Sequence, residues 1–193
     1  MILIVLPDFP VEDALMRRLK QGEQEAISEV YAVYFPPLYQ YVRLKVGDSA
    51  AAEDIVSEVF VTLIESLGKR SAPRVSLRGW LFKVARNQIS RNYGKIQHLP
   101  LTDVEQWMPA SSNNNPESRT NDIFDMERVR HALRMLTADH QEVLILRFGQ
   151  SLSLKETADI MGKNTNAIKA LQFRALATLR QIVLGSDKEV NHV

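Results

Sequence analysis

Residues 154–182, LKETADIMGKNTNAIKALQFRALATLRQI, hold two helical periodicities that meet at one glycine. In a window counted from Leu154, the fifth place is Ala158, the ninth Gly162, the fifteenth Ile168 and the eighteenth Leu171. Each residue type there has a packing reason. Ala158 lets two helices cross closely, Gly162 permits a left-handed turn that a Cβ resists, and Ile168 and Leu171 seat the second helix on the first. This is the pattern of a helix-turn-helix. Ala175, Leu179 and Ile182 continue the core stripe, which leaves Asn166, Lys169, Phe173 and Arg180 on the opposite face and Arg174 beside it. Such a second helix normally enters the major groove by its N-terminal part, so Asn166 and Lys169 can reach base edges or phosphate and Arg174 the backbone. A helical hairpin that never meets DNA obeys the same packing rules and stays open as a reading.

Upstream, helical periodicity dominates and strand alternation is nearly absent. The exception runs from Gly94 to Asp122, where Pro100, Pro109 and Pro116 surround the run Ser111 to Asn115. That composition reads as a mobile linker. The expected fold is therefore all-α: two small helical domains, residues 1–95 and 123–186, joined by a flexible linker over 96–122, with the helix-turn-helix in the second. In the first domain the pattern predicts helices over Val11–Lys20 and Glu23–Leu44, the latter interrupted near Pro36 and Pro37. A third follows Gly47, with Asp48 or Ser49 as N-cap and an apolar stripe of Val56, Val59, Phe60, Leu63, Ile64 and Leu67 ending at Gly68. Asp54 and Glu58 lie one turn apart on its outer side. Like charges at that spacing weaken an isolated helix, so the face suits either a basic partner or plain solvation.

A fourth helix is predicted from about Ser76 to Tyr93. Leu77, Leu81, Val84, Ala85 and Ile89 form its apolar arc; Trp80, Lys83, Asn87, Ser90 and Arg91 occupy much of the rest, with Arg86 at the edge. Cations, amides and an indole are the groups that bind a nucleic-acid backbone, bond base edges and stack on bases. Trp80 fits equally as a wedge between helices. The segment before it, Gly68–Val75, reads as a basic loop carrying Lys69, Arg70 and Arg74.

The charges are sorted by segment. The chain's 193 residues include 24 basic and 23 acidic, a formal net charge of +1. By blocks, the net charge is −6 for residues 1–66, +8 for 67–95, −5 for 96–127, +1 for 128–159 and +3 for 160–193. Near-neutrality is thus cancellation, and two basic stretches parted by an acidic one suggest two contacts with one polyanion. A solvated face is the plainer account of the basic block, and a solvated linker that of the acidic one.

With no cysteine, disulfides, thiolate metal sites and a cysteine nucleophile are excluded. The four histidines never fall at i, i+4 with another ligand, and no nucleophile elbow, zinc-protease helix or phosphate loop occurs. Neither an enzyme nor a cofactor is expected. The apolar start Met1–Leu6 lacks a basic flank, stops at Pro7 and is too short to span a bilayer, so neither signal peptide nor membrane anchor is read, and a cytoplasmic location is expected.

GDSAAAEDIVSEVF (47–60) followed by LRGWLFKVARNQISR (77–91) resembles region two of the extracytoplasmic-function sigma factors of bacterial RNA polymerase. LTADHQEVLILRFGQSLSLKETADIMGKNTNAIKALQFRALATLR (136–180) resembles their region four. The likeness covers nearly the whole chain apart from the linker and the last ten residues. It implies that the helix bearing Asp54, Ile55, Glu58, Val59 and Phe60 docks on the coiled coil of the polymerase's largest subunit, the flap being a further polymerase contact. It implies that the loop and helix of residues 68–93, through Arg74, Arg78, Trp80, Lys83, Arg86, Asn87 and Arg91, open and read a minus-ten promoter element. The helix from Thr165 to about Arg180 would read the minus-thirty-five element through Thr165, Asn166, Lys169, Phe173 and Arg174. Proteins of this kind often have an anti-sigma partner. The chain departs from the family pattern at Lys163, where an aliphatic residue is usual, at Ala167, a common Thr, and at Leu171 with Phe173, where Arg and His are frequent. The rival readings are a helix-turn-helix regulator that never joins polymerase and a helical adaptor whose basic faces meet an acidic protein.

Overall fold

The computed structural model describes residues 9–73, 75–93, 129 and 131–190, so Arg74 and the expected linker lie outside the described residues. The first half holds α1 (Phe9–Lys20), α2 (Gln24–Val46), α3 (Ser49–Ser66) and α4 (Leu77–Tyr93). The second holds α5 (Ala138–Leu144), which runs into a π-helical turn at Ile145–Gly149, then α6 (Leu154–Met161) and α7 (Thr165–Val190). No strand occurs among the described residues.

The break expected at Pro36 and Pro37 is absent, and α2 runs through both. A proline in a helix interior costs about 3 kcal/mol. Tyr34 on one side and Leu38 and Tyr41 on the other are fully buried. Burying each large apolar side chain contributes about 1.5–3 kcal/mol, so core packing on both flanks outweighs the local penalty. Gly47, left-handed at φ 73°, ends α2.

Asp48 is the cap of α3, its carboxylate accepting the Ala51 N–H at 2.8 Å. Ala52, Ile55, Val56, Val59, Phe60 and Leu63 then face the core, whereas Ile64, expected within the stripe, is 48% exposed. Helix α4 starts under two acceptors: the Ser76 hydroxyl takes the Gly79 N–H at 2.9 Å, and Glu12 of α1 takes the Arg78 N–H at 2.9 Å. All five arc residues of α4 are buried or half-buried, joined by Phe82, whose ring meets Tyr41 edge-on at 5.3 Å.

In the second half the helix-turn-helix forms as its spacing predicts. A reciprocal capping box opens α6: the Ser153 hydroxyl accepts the Glu156 N–H at 3.2 Å, and the Glu156 carboxylate accepts the Ser153 N–H at 2.8 Å. Gly162 ends α6 at φ 65°, Asn164 caps α7 by accepting the Ala167 N–H at 2.7 Å, and Ala158, Ile168 and Leu171 are buried between the two helices. The two halves are docked, α4 against α6, and their apolar cores are continuous.

A Cβ at Gly162 would meet nothing within 4 Å, so backbone conformation alone demands glycine there. Gly162→Ala should lower unfolding free energy by about 1–2 kcal/mol and Gly162→Asn by less, measured by urea denaturation.

Candidate nucleic-acid interface

Three of the expected surfaces face solvent. On α7, Thr165, Asn166, Lys169, Phe173 and Arg174 are all exposed, Phe173 at 75%. Asn166, Lys169, Ala170 and Phe173 follow the i, i+3, i+4, i+7 spacing that one face of a groove-reading helix presents to base edges. On α4, Lys83, Asn87 and Arg91 are exposed and Arg86 is half-buried. On α3, Asp54 and Glu58 face outward beside Val61.

Ile55, Val59 and Phe60 do not join them. They are buried, with α3 packed on α2 and α4, and Phe60 packs its ring 4.8 Å from Tyr31, so the outer side of α3 carries Asp54 and Glu58 with the exposed Val61 and Ile64 instead. The physical reason is the helical period: residues adjacent to Asp54 and Glu58 in sequence turn by about 100° toward the core.

Trp80 is half-buried near the start of α4. Its indole N–H donates to the Ser71 carbonyl at 2.9 Å, which fixes the half-buried ring against the loop. The ring also lines a cleft of about 380 Å³ between α4 and the start of α6, together with Lys83, Lys155, Glu156 and Asp159.

Arg78 departs furthest from the expectation of a DNA contact. Its guanidinium is buried in a two-pronged contact with Glu156, Nε to Oε1 at 3.1 Å and Nη2 to Oε2 at 2.9 Å. The Ser76 hydroxyl donates to the same carboxylate at 2.8 Å. A second carboxylate from the C-terminal half, Glu142 on α5, accepts from the Tyr41 hydroxyl at 2.7 Å and from the Lys45 ammonium, with Arg86 3.7 Å away. Sequence reasoning passed over Glu12, Glu142 and Glu156. The Ser-x-x-Glu spacing at 153–156 marks a capping box and was available; nothing local marks Glu142, whose partners Tyr41 and Lys45 are 101 and 97 residues away.

Burial by itself would raise the Glu156 carboxyl, but the bonds from Arg78, Ser153 and Ser76 together outweigh it and bring it down to about 2. Nearby, burial first and the Glu12 charge second push the Tyr34 phenol above its usual range. Burial first and the Glu142 charge second likewise raise the Tyr41 phenol well above its usual range. The clasp at neutral pH is therefore a carboxylate facing a cation, with neutral phenols beside it. Among the described residues no cluster of His, Asp and Glu could hold a metal ion, and no helix is long and apolar enough to cross a membrane.

Two family descriptions match the chain: Sigma-70 region 2 over residues 30–98 and Sigma-70 region 4 over residues 132–181. The ECF RNA polymerase sigma factor BldN of Streptomyces coelicolor is 33% identical over 170 residues, covering 88% of this chain; the match spans 64% of BldN's own length. The ECF RNA polymerase sigma factor SigD of Mycobacterium tuberculosis is 30% identical over 189 residues, covering 91% of this chain and 85% of SigD. Among solved structures, CnrH in complex with the cytosolic domain of CnrY superposes with a TM-score of 0.62 at 21% identity, covering 90% of this chain and 97% of CnrH. The sigma factor RpoE of Bartonella quintana, solved with the anti-sigma factor NepR, gives 0.56 at 23% identity, covering 83% and 97%. At those identities the two structures share the fold.

Because the Glu156 carboxyl sits far below its ordinary value of 4.5, its contribution to stability is complete above that value and is lost as the pH falls toward about 2. Urea midpoints measured from neutral pH into that range should fall in the wild type more than in Glu156→Gln, whose amide does not titrate.

Proposed function

This chain belongs to the extracytoplasmic-function sigma factors of bacterial RNA polymerase, and from that membership we propose that it directs the core enzyme to specific promoters by binding both promoter elements. It acts as a non-enzymatic initiation factor, in the cytoplasm where the polymerase works. The observation that carries the reading is the pairing, in one chain, of a region-two helix and a region-four helix whose outward faces are both cationic and exposed, with an acidic helix face beside them.

In this reading the Asp54 and Glu58 side of α3 meets a basic surface on the largest-subunit coiled coil, and the flap is a second polymerase contact. Lys83, Asn87 and Arg91 of α4 hold the melted minus-ten strand, with Trp80 at its edge and Arg74, earlier in the sequence, as a further contact. Thr165, Asn166, Lys169, Phe173 and Arg174 of α7 lie in the major groove of the minus-thirty-five element. Opening proceeds by capture: unpairing a base costs a few kcal/mol, and stacking on an aromatic ring returns about 1–3 kcal/mol per base, so a strand held by cations and an indole is held open. The Bartonella relative was solved with an anti-sigma factor, and a partner of that class fits this chain too.

Run-off transcription with purified core polymerase should yield discrete promoter-specific transcripts. Lys169→Ala should lose promoter-specific product at least about tenfold while still co-purifying with core. Failure of every template rejects the reading, and DNA binding without capture of core polymerase would instead indicate a free-standing regulator. At Trp80, loss of half-buried packing and of the Ser71 bond should make Trp80→Ala about 1–2 kcal/mol less stable and slow in promoter opening. Trp80→Phe, which keeps a stacking face, should recover most of the opening rate in a fluorescent-base assay.

A further inference from the structure

Base discrimination on α7 falls to few groups. From Thr165 to Phe173 the outward arc carries Asn166, Lys169, Ala170 and Phe173, all exposed, and no arginine occurs in that stretch. A guanidinium fork on guanine is therefore absent there, and Arg174 is turned about 100° aside from Phe173. Phe173 is 75% exposed, more than any other large apolar residue described. Its ring stands in solvent on a face otherwise made of an amide, an ammonium and an alanine methyl. Burying an aromatic ring is favourable in proportion to the area removed from water, and the fold leaves most of that gain at Phe173 to a partner.

We infer that Phe173 reads a thymine C5-methyl group in the major groove of the minus-thirty-five element, with Ala170 as the point of close approach that brings the ring there. The inference rests on the sigma-factor reading of α7 and adds to it the identity of a base. A phenyl ring neither donates nor accepts a conventional hydrogen bond, so among base edges it distinguishes one feature, the methyl that thymine alone carries. Ala170, one turn earlier, has only a methyl of its own, so nothing on that turn holds the helix backbone away from the groove. At 1.5 Å per residue Phe173 lies about 10 Å along α7 from Asn166, close to three base-pair steps of about 3.4 Å. A straight helix diverges from the curved groove beyond its first turns, and the phenyl ring spans a gap that alanine does not. Asn166 and Lys169 form no side-chain hydrogen bond or ion pair among the described residues, so both are available to fix the register on a base edge or a phosphate. Their position on the same arc as Phe173 favours DNA over a protein as the ring's partner.

Holoenzyme assembled from the full chain and core polymerase is first used to select duplexes from a random pool, which yields its minus-thirty-five element. Each thymine of that element is then replaced singly by deoxyuridine, which removes the C5-methyl and keeps every hydrogen-bonding group. At one position the wild type should bind about fourfold more weakly, the value of one buried methyl-sized group. Phe173→Ala should bind the thymine duplex more weakly and lose the difference between thymine and deoxyuridine there, a coupling that separates contact with the ring from any change in DNA shape. Phe173→Leu, still apolar, should keep part of the difference, and Phe173→Arg should move the selected base at that position toward guanine. The exposed ring makes these variants fold as the wild type does, which unchanged thermal midpoints check. The inference is overturned if no deoxyuridine weakens wild-type binding, or if Phe173→Ala retains the full methyl effect. It is equally overturned if Phe173→Ala loses capture of core polymerase and keeps the base preference, which assigns the ring to a protein contact. Failure of the sigma-factor reading shows separately, as a holoenzyme that enriches no element and gives no run-off product.

Discussion

The Glu156 carboxylate joins local and long-range structure in one group. It closes the capping box that starts α6, so the first helix of the helix-turn-helix depends on it, and it holds the Arg78 fork and the Ser76 hydroxyl of the other half. Ser76 in turn caps the start of α4, and Glu12 of α1 holds the Arg78 backbone N–H. Three helices, α1, α4 and α6, therefore converge on one buried charge pair. Burying two ions costs several kcal/mol each unless their remaining bonding positions are filled, and here the Ser76 hydroxyl and the Ser153 N–H donate to the carboxylate beside Arg78. Losing one partner leaves the other charged, buried and unmatched, which is why the state of the whole seam follows this contact.

The same seam governs which groups are available for chemistry. Lys83, Asn87 and Arg91 stay exposed, Lys83 at the lip of the cleft that α4 forms with α6, whereas the Arg78 guanidinium is covered by Glu156 of α6. Ion pairing across a buried interface is specific as well as costly, since like charges or missing charges in the same place would repel or strand a partner.

Where sequence and structure agree, the governing interaction is local. The cap at Asp48, the left-handed turn at Gly162, the buried Ala158, Ile168 and Leu171, and the exposed row from Asn166 to Phe173 all follow from residue types at fixed spacings within one or two turns. Where they disagree, distant packing decides. Local propensity breaks α2 at Pro36 and Pro37, yet the buried Tyr34, Leu38 and Tyr41 carry the helix through. Periodicity places Ile64 inside, yet the core closes on Ile55, Val59 and Phe60 and leaves Ile64 outside.

The amino-acid sequence by itself determined the all-α class, the helix-turn-helix with its exposed face, the sorting of charge between segments and the resemblance to sigma factors, because each depends on period, residue type or order along the chain. Only the tertiary structure decided that Arg78 is withheld by Glu156, that Glu142 sits on Tyr41 and Lys45, and that the Trp80 ring is tied to Ser71 at the edge of a cleft between halves. Those are choices of partner between groups that lie far apart along the chain or that a loop brings together. An exposed-looking arginine on a helix face has the same local pattern whether it meets water, phosphate or a carboxylate brought from 78 residues away.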